Sequence, residues 1–141
     1  MALRCVDASF VIGWLVPSQG SEAVAAEWSG YVLGKDEFVG PALLYPETVS
    51  AVHRLTHQGL LTDVEGSQIV TDFLALGIPA LTPQGMYRRA YTLADRYYQP
   101  RVYDMCYLAL AEKLSCQLLT MDERFYTMVA GDFPLVTLVS R

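Results

Sequence analysis

The sequence predicts an α/β fold with a mainly parallel sheet and helices on both faces. Two observations carry this. Short apolar runs of strand length alternate along the chain with longer segments of helical period. Glycine and proline punctuate the boundaries between them. At 141 residues, 52% hydrophobic and 18% charged, the chain also suits one globular domain, residues 1–141, around a single core. No internal repeat, low-complexity tract or linker divides it.

Residues 3–6 form a short apolar strand ending on Asp7, and residues 8–16 follow with helical patterning until Pro17 and Gly20 break it. Ser21 caps a second helix over residues 22–33, with Ala25, Trp28 and Val32 at its apolar positions and Gly34 as its C-cap. Phe38 and Val39 make a second strand, closed by Gly40-Pro41. The third helix begins either near Ala42 or at Pro46, whose missing N–H costs nothing in a first turn; in the latter case Glu47 shares that turn. Val49, Val52 and Leu55 continue its apolar stripe to Gly59. Thr62 and Glu65 read as a capping box for a helix over residues 63–76. Residues 77–81 give a brief strand or edge segment, and Thr82-Pro83 open a helix to about Tyr97, ended by Pro100. A helix opening on Asp104 and an apolar strand, Gln117–Thr120, lead to Asp122. Residues 122–129 read as a short last helix and residues 135–138 as the final strand.

This order places four acids at one edge of the sheet. Asp7 and Asp122 lie at or just beyond the carboxyl ends of strands, where ligands bind in open α/β sheets. Glu47 and Asp104 lie in first turns of helices, the ends that face the same edge and favour negative charge. Like charges so gathered repel by roughly 4 kcal/mol per pair at 4 Å and an effective dielectric near 20. A cation, or protonation of some of the acids, must offset that. Oxygen ligands without His or Cys select Mg²⁺ or Mn²⁺, and such ions support in-line attack of water on a phosphodiester. Helix capping is the plainer role for Asp104 and Asp122, whereas Asp7 is harder to explain by capping alone.

Composition narrows the function further. The net charge is −5, and Lys35 and Lys113 are the only lysines, which argues against a broad basic surface for duplex DNA. Cys5, Cys106 and Cys116 show no CxxC spacing and sit in apolar surroundings, as reduced buried thiols do. The opening M-A-L-R-C-V-D lacks the apolar core and cleavage site of a signal peptide, and no apolar run reaches the roughly 18 residues of a membrane span. A cytoplasmic protein is expected.

The motifs V-D-A-S-F at 6–10, P-E-T-V at 46–49, Y-D-M-C-Y-L-A-L-A at 103–111 and L-L-T-M-D at 118–122 resemble, in order and spacing, the four motifs of PIN-domain proteins. Among these the chain is most similar to the small VapC-type toxins of toxin–antitoxin pairs. The resemblance covers nearly the whole chain and implies a three-layer α/β/α fold. It implies a ribonuclease dependent on Mg²⁺ or Mn²⁺, with Asp7, Glu47, Asp104 and Asp122 as metal ligands and catalytic residues. Ser9 and Thr120 would be the hydroxyl neighbours that orient the acids or the substrate. RNA substrate, an antitoxin protein and a homodimer follow from the same resemblance. The sequence departs from the pattern where Pro46 stands for a flexible residue and Ser50 for a frequent asparagine.

Other features have plainer readings. His53 and His57 are one helical turn apart, a spacing that can hold zinc, but no third ligand accompanies them and they read as surface residues. Arg88, Arg89, Arg96 and Arg101 interleave with Tyr87, Tyr91, Tyr97, Tyr98 and Tyr103, as in a track for single-stranded RNA or, equally, a solvated helix face. Trp14 and Trp28 suit the core or a dimer contact. Two other function classes stand beside the nuclease: a non-catalytic RNA- or protein-binding module, and a phosphoryl-accepting signalling domain. The latter wants a lysine near the last strands, whereas Lys113 lies inside a helix.

Overall fold

The computed structural model describes residues 2–140. Its sheet has four strands, β1 (Ala2–Val6), β2 (Asp36–Val39), β3 (Gln117–Thr120) and β4 (Val136–Leu138), in the spatial order β2-β1-β3-β4. All three pairings are parallel, with Cys5 opposite Val39 on one side and Leu118 on the other. Parallel pairing demands crossovers, and seven helices supply them: α1 (Ala8–Leu15), α2 (Glu22–Val32), α3 (Leu44–His57), α4 (Asp63–Ala75), α5 (Met86–Arg96), α6 (Tyr103–Leu114) and α7 (Glu123–Val129). The connection from β1 to β2 runs one way along the sheet, and that from β2 to β3 returns past β1. Right-handed crossovers of opposite direction put helices on opposite faces, so α2 covers β2 while α6 covers β1 and β3. The chain's direction reverses between β1 and β3. That switch point is where a crevice opens beyond the strands.

Why α6 and β3 sit at the centre follows from their composition. Met105 to Ala111 are all buried, as are Leu118, Leu119 and Thr120, so both elements are enclosed on every side. An aromatic layer fills the space among α1, α2 and β2. Phe10 stacks on Trp28 at 5.7 Å, Trp14 stacks on the same indole at 5.3 Å, and Phe38 meets it edge-on at 5.0 Å. A smaller apolar cluster of Ile12, Val16 and Val52, flanked by Leu55, Ile69 and Val70, ties α3 and α4 to α1. Through it α3 is held against α1 rather than against the sheet.

The sequence expectations hold in outline and fail in places with clear causes. The third helix starts between its two candidates, at Leu44, and Pro46 is its third residue, where no intrahelical N–H bond is lost. The capping box of Thr62 and Glu65 is formed through both of its hydrogen bonds. The expected segment at residues 77–81 is a single parallel bridge from Gly40 to Ala80. The helix expected from Thr82-Pro83 begins only at Met86, because Gly85 takes a left-handed φ of 80° and ends the preceding turn. In α2 the expected stripe is rotated: Ala25 and Val32 are exposed, and Val24 and Trp28 are buried. The indole of Trp28 sets that face because it has the most area to remove from water.

Candidate functional site

Asp7, Glu47, Asp104 and Asp122 all line one open cleft of about 360 Å³ at the switch point. Each is delivered by a different junction. Asp7 follows β1 and caps α1, its Oδ1 accepting from the Phe10 N–H at 3.0 Å. Asp122 follows β3 and caps α7, its Oδ1 accepting from the Phe125 N–H at 3.0 Å. Asp7 is thus an N-cap, though capping occupies only one of the bonds its carboxylate accepts. Glu47 lies in the first turn of α3 and Asp104 in that of α6. Val102, not Asp104, is the N-cap of α6, and it makes no side-chain cap bond. Helix capping therefore leaves Asp104 unexplained.

Asp7 is the most constrained of the four. The Ser9 hydroxyl donates to its Oδ1 at 2.6 Å and the Thr120 hydroxyl donates to its Oδ2. Ser9 Oγ in turn accepts from the Met121 N–H at 2.9 Å, and Thr120 Oγ1 from the Asp122 N–H at 3.0 Å. The two hydroxyls thereby clamp the turn after β3 to the turn after β1, which fixes Asp122 relative to Asp7. Glu47 Oε1 accepts from the buried Tyr107 hydroxyl at 2.5 Å. Asp104 is exposed and accepts no hydrogen bond among the described residues.

The electrostatics link the acids in sequence. Burial pushes the Asp7 carboxyl up from 3.8 to about 6; the bonds from Ser9, Thr120 and the Phe10 N–H oppose it, and the Asp122 charge adds to it. Partial desolvation by the cleft walls also raises the otherwise exposed Asp104, helped by Asp122 and opposed by Arg124. Burial raises Glu47, opposed by the Tyr107 hydrogen bond and helped by Asp104. Neighbouring charge thus runs from Asp7 through Asp122 and Asp104 to Glu47. Tyr107 is held far above the usual phenol range, first by burial and then by Glu47, so it stays a hydrogen-bond donor.

The donor chemistry fits a hard divalent cation: four carboxylates and no His or Cys line the cleft. Among the described residues, no group of three His, Cys, Asp or Glu side chains stands in a geometry that would hold a metal ion without adjustment. The hydrogen bonds supply a physical reason, since Asp7 and Glu47 are turned toward donors of the chain itself.

Three lining residues carried no site role in the sequence reading. Tyr107, Arg54 and Ser50 share the cleft with the acids. A second cleft of about 480 Å³ shares Glu47 and Asp104 with it and adds Gln99, Pro100, Arg101, Tyr103 and Arg124. Helical spacing could have found some of these, because Tyr107 is three residues after Asp104, and Ser50 and Arg54 are three and seven after Glu47. Of the arginines read as an RNA track, Arg89 is paired bidentately with Glu112 at 2.7 and 3.0 Å, and Arg96 with Asp132 at 3.1 Å. Arg88 is exposed and lines neither cleft. His53 and His57 are exposed, and all three cysteines are buried and free. No helix among the described residues is long and apolar enough to cross a membrane.

Comparison with known proteins adds a family. The family model described as PIN domain matches residues 4–130. The chain is 29% identical over 119 residues to ribonuclease VapC12 of Mycobacterium tuberculosis, covering 84% of this chain and 86% of that one. Its fold is similar to that of a toxin-antitoxin complex from Klebsiella pneumoniae, with a TM-score of 0.64 and 15% identity over 97% of this chain and 96% of the other. It is also similar to PAE2754 from Pyrobaculum aerophilum, with a TM-score of 0.65 and 18% identity over 99% and 90%.

Proposed function

This chain belongs to the PIN-domain family, and from that premise we propose that it is a divalent-metal-dependent endoribonuclease, the toxin of a toxin–antitoxin pair. The observation that carries the proposal is the convergence of four carboxylates, from four separate segments, on one cleft at the carboxyl edge of the sheet. Likeness in sequence to a named ribonuclease supports the same reaction class.

In this reading Asp7, Glu47, Asp104 and Asp122 hold Mg²⁺ or Mn²⁺. A bound ion of this kind supplies polarisation of the scissile phosphodiester and acidification of the attacking water. Ser9 and Thr120 hold Asp7 and Asp122 in register across the β1 and β3 ends, so that the pair moves as one unit. Tyr107 restrains one oxygen of Glu47 and leaves the other for the cleft. Asp104, with no internal hydrogen bond to give up, is the acid most available to a ligand. Neutral side chains cannot replace these roles, because removing any one charge weakens the attraction for a divalent ion in a partly desolvated site.

An antitoxin protein is the proposed partner, after the Klebsiella complex whose fold this chain shares. A second copy of the chain is proposed as a further partner. The buried thiols support action in the reducing cytoplasm. The signalling alternative loses ground, since Lys113 lines neither cleft.

The test is cleavage of a mixed pool of structured RNA by purified protein with Mn²⁺, with Mg²⁺ and with EDTA, beside Asp104→Asn. Cleavage is expected only with metal, and about a hundredfold or more slower in the variant. Metal binding with no cleavage of any RNA would favour the non-catalytic binding module instead. No metal binding at all would return the four acids to structural roles.

A further inference from the structure

We propose that Arg54 on one side of the acids, and Arg101 with Arg124 on the other, form a phosphate track that carries one strand of RNA across the cleft. The proposal rests on the nuclease reading for what lies between the arginines; of the track suggested by the sequence it keeps Arg101 and drops Arg88, Arg89 and Arg96.

The pairing pattern of the arginines leads to it. Arg4, Arg89 and Arg96 are bound to Glu27, Glu112 and Asp132. Arg54, Arg88, Arg101 and Arg124 are exposed and have no carboxylate partner among the described residues. Three of these four border the acids: Arg54 lines the first cleft, and Arg101 and Arg124 line the second, which opens from it at Glu47 and Asp104. A chain of net charge −5 has left these three bordering the clefts where its four acids gather.

Their placement repeats. Helix α3 carries Glu47 and, two turns on, Arg54, about 10 Å further along its axis at 1.5 Å per residue. The entry to α6 carries Arg101 three residues before Asp104, and the first turn of α7 carries Arg124 two residues after Asp122. Three of the four acids thus come with one of these arginines on or beside their helix, and Asp7 is the exception. Helix stability accounts for Arg54, a cation in a last turn, but not for the other two. A positive charge at or before a helix N-terminus opposes the macrodipole and costs some tenths of a kcal/mol. Arg101 and Arg124 therefore sit where helix stability alone would not place them.

The ligand chemistry follows. Guanidinium groups on both flanks of a metal-binding cleft suit phosphates on both sides of a scissile bond. Tyr103, 51% exposed at the second cleft, offers a ring on which an unpaired base can stack. Two adjoining open clefts on an otherwise acidic protein fit a single strand, whose bases are free to turn inward, better than a duplex, which needs a broad basic face.

The test is fluorescence anisotropy with a short, unstructured, labelled RNA in Mg²⁺, on chains that carry Asp104→Asn so that the RNA stays whole. Arg54→Ala and the double change Arg101→Ala/Arg124→Ala are each expected to weaken binding by about tenfold, and to lower the salt dependence by roughly 0.7 per arginine removed. Lys35→Ala, remote from both clefts, is the control for net charge. Unchanged binding in the arginine variants overturns the proposal. So does an equal loss on Arg88→Ala, which would move the track to α5, and so does equally tight binding of the matching duplex. Wild-type cleavage is read separately. Arginine-dependent binding by a chain that never cuts sinks the nuclease reading and leaves the track. Cleavage and binding that ignore all three arginines sink the track alone.

Discussion

Asp7 and Phe10 are three positions apart, yet they belong to regions built on opposite rules. Phe10 enters a layer of rings in which Trp28 is fully buried, stacked with Phe10 and with Trp14 and nearly perpendicular to Phe38. Every contact there gains from the removal of water, and the one unmet polar group is the Trp28 Nε1–H. Asp7 enters a cleft where burial and neighbouring acids both work against charge. The same backbone turn serves both, because the Phe10 N–H that begins α1 is capped by the Asp7 carboxylate. Stability is gathered on one side of that turn and spent on the other. Substitutions should therefore change sign between the two regions.

The largest effect is expected in the rings. Trp28→Ala should cost about 3–5 kcal/mol, read as a lower denaturant midpoint, because the cavity it leaves is enclosed by Phe10, Trp14, Tyr31 and Phe38. A small loss would mean that the layer collapses around the gap and is not the rigid support described here.

In the cleft the sign should reverse. The Asp7 carboxyl is raised from 3.8 to about 6 in the folded chain, so between those values the folded state binds more protons than the unfolded state. Without divalent metal, the Asp7 contribution to stability should be fully present below about pH 4 and be lost as the pH rises through about 6. Asp7→Asn should flatten that slope and stabilise the neutral protein. At 1.36 kcal/mol per unit the gain is about 3 kcal/mol at most, reduced by whatever Asn fails to accept from Ser9 and Thr120. Denaturant titrations of both proteins in EDTA at pH 4, 5, 6 and 7 read it; a parallel pH course for the two would refute a raised Asp7.

Between the two regions lies Tyr107, whose ring is buried and whose hydroxyl holds Glu47. Tyr107→Phe keeps the ring and should lose about 1–2 kcal/mol from the one hydrogen bond to a carboxylate. The metal concentration for half-maximal cleavage should rise while the rate at saturating metal falls less. An unchanged metal requirement would show that Glu47 needs no such support. The smallest effect is expected one residue along α3, where the fully buried Thr48 hydroxyl has no partner among the described residues. Thr48→Val removes that orphan and should raise stability by about 1 kcal/mol in thermal melts.

Much of this architecture was legible in the chain. The alternation of apolar runs and helical periods, the capping box at Thr62 and the strand Gln117–Thr120 depend on neighbours a few residues apart, and local signals report such neighbours faithfully. The four acids were legible for the same reason, since the ends of strands and the first turns of helices are local events and a parallel sheet aligns them. The rotated face of α2 was not, because the choice between Ala25 and Val24 is made by where the Trp28 indole finds a cavity. Nor was the start of α5, which waits on the left-handed turn at Gly85.

What the sequence by itself determined is the order of elements, the edge at which the carboxylates meet, and the family whose motifs it carries. Only the tertiary structure decided which hydroxyl holds which carboxylate, that Tyr107 answers Glu47 across sixty positions of chain, and which arginines are paired and which face the cleft. The reason is physical. Hydrogen bonds and ion pairs act over a few ångströms, and residues such as Thr120 and Asp7 come within that range only after α3 to α6 have packed and brought β3 beside β1.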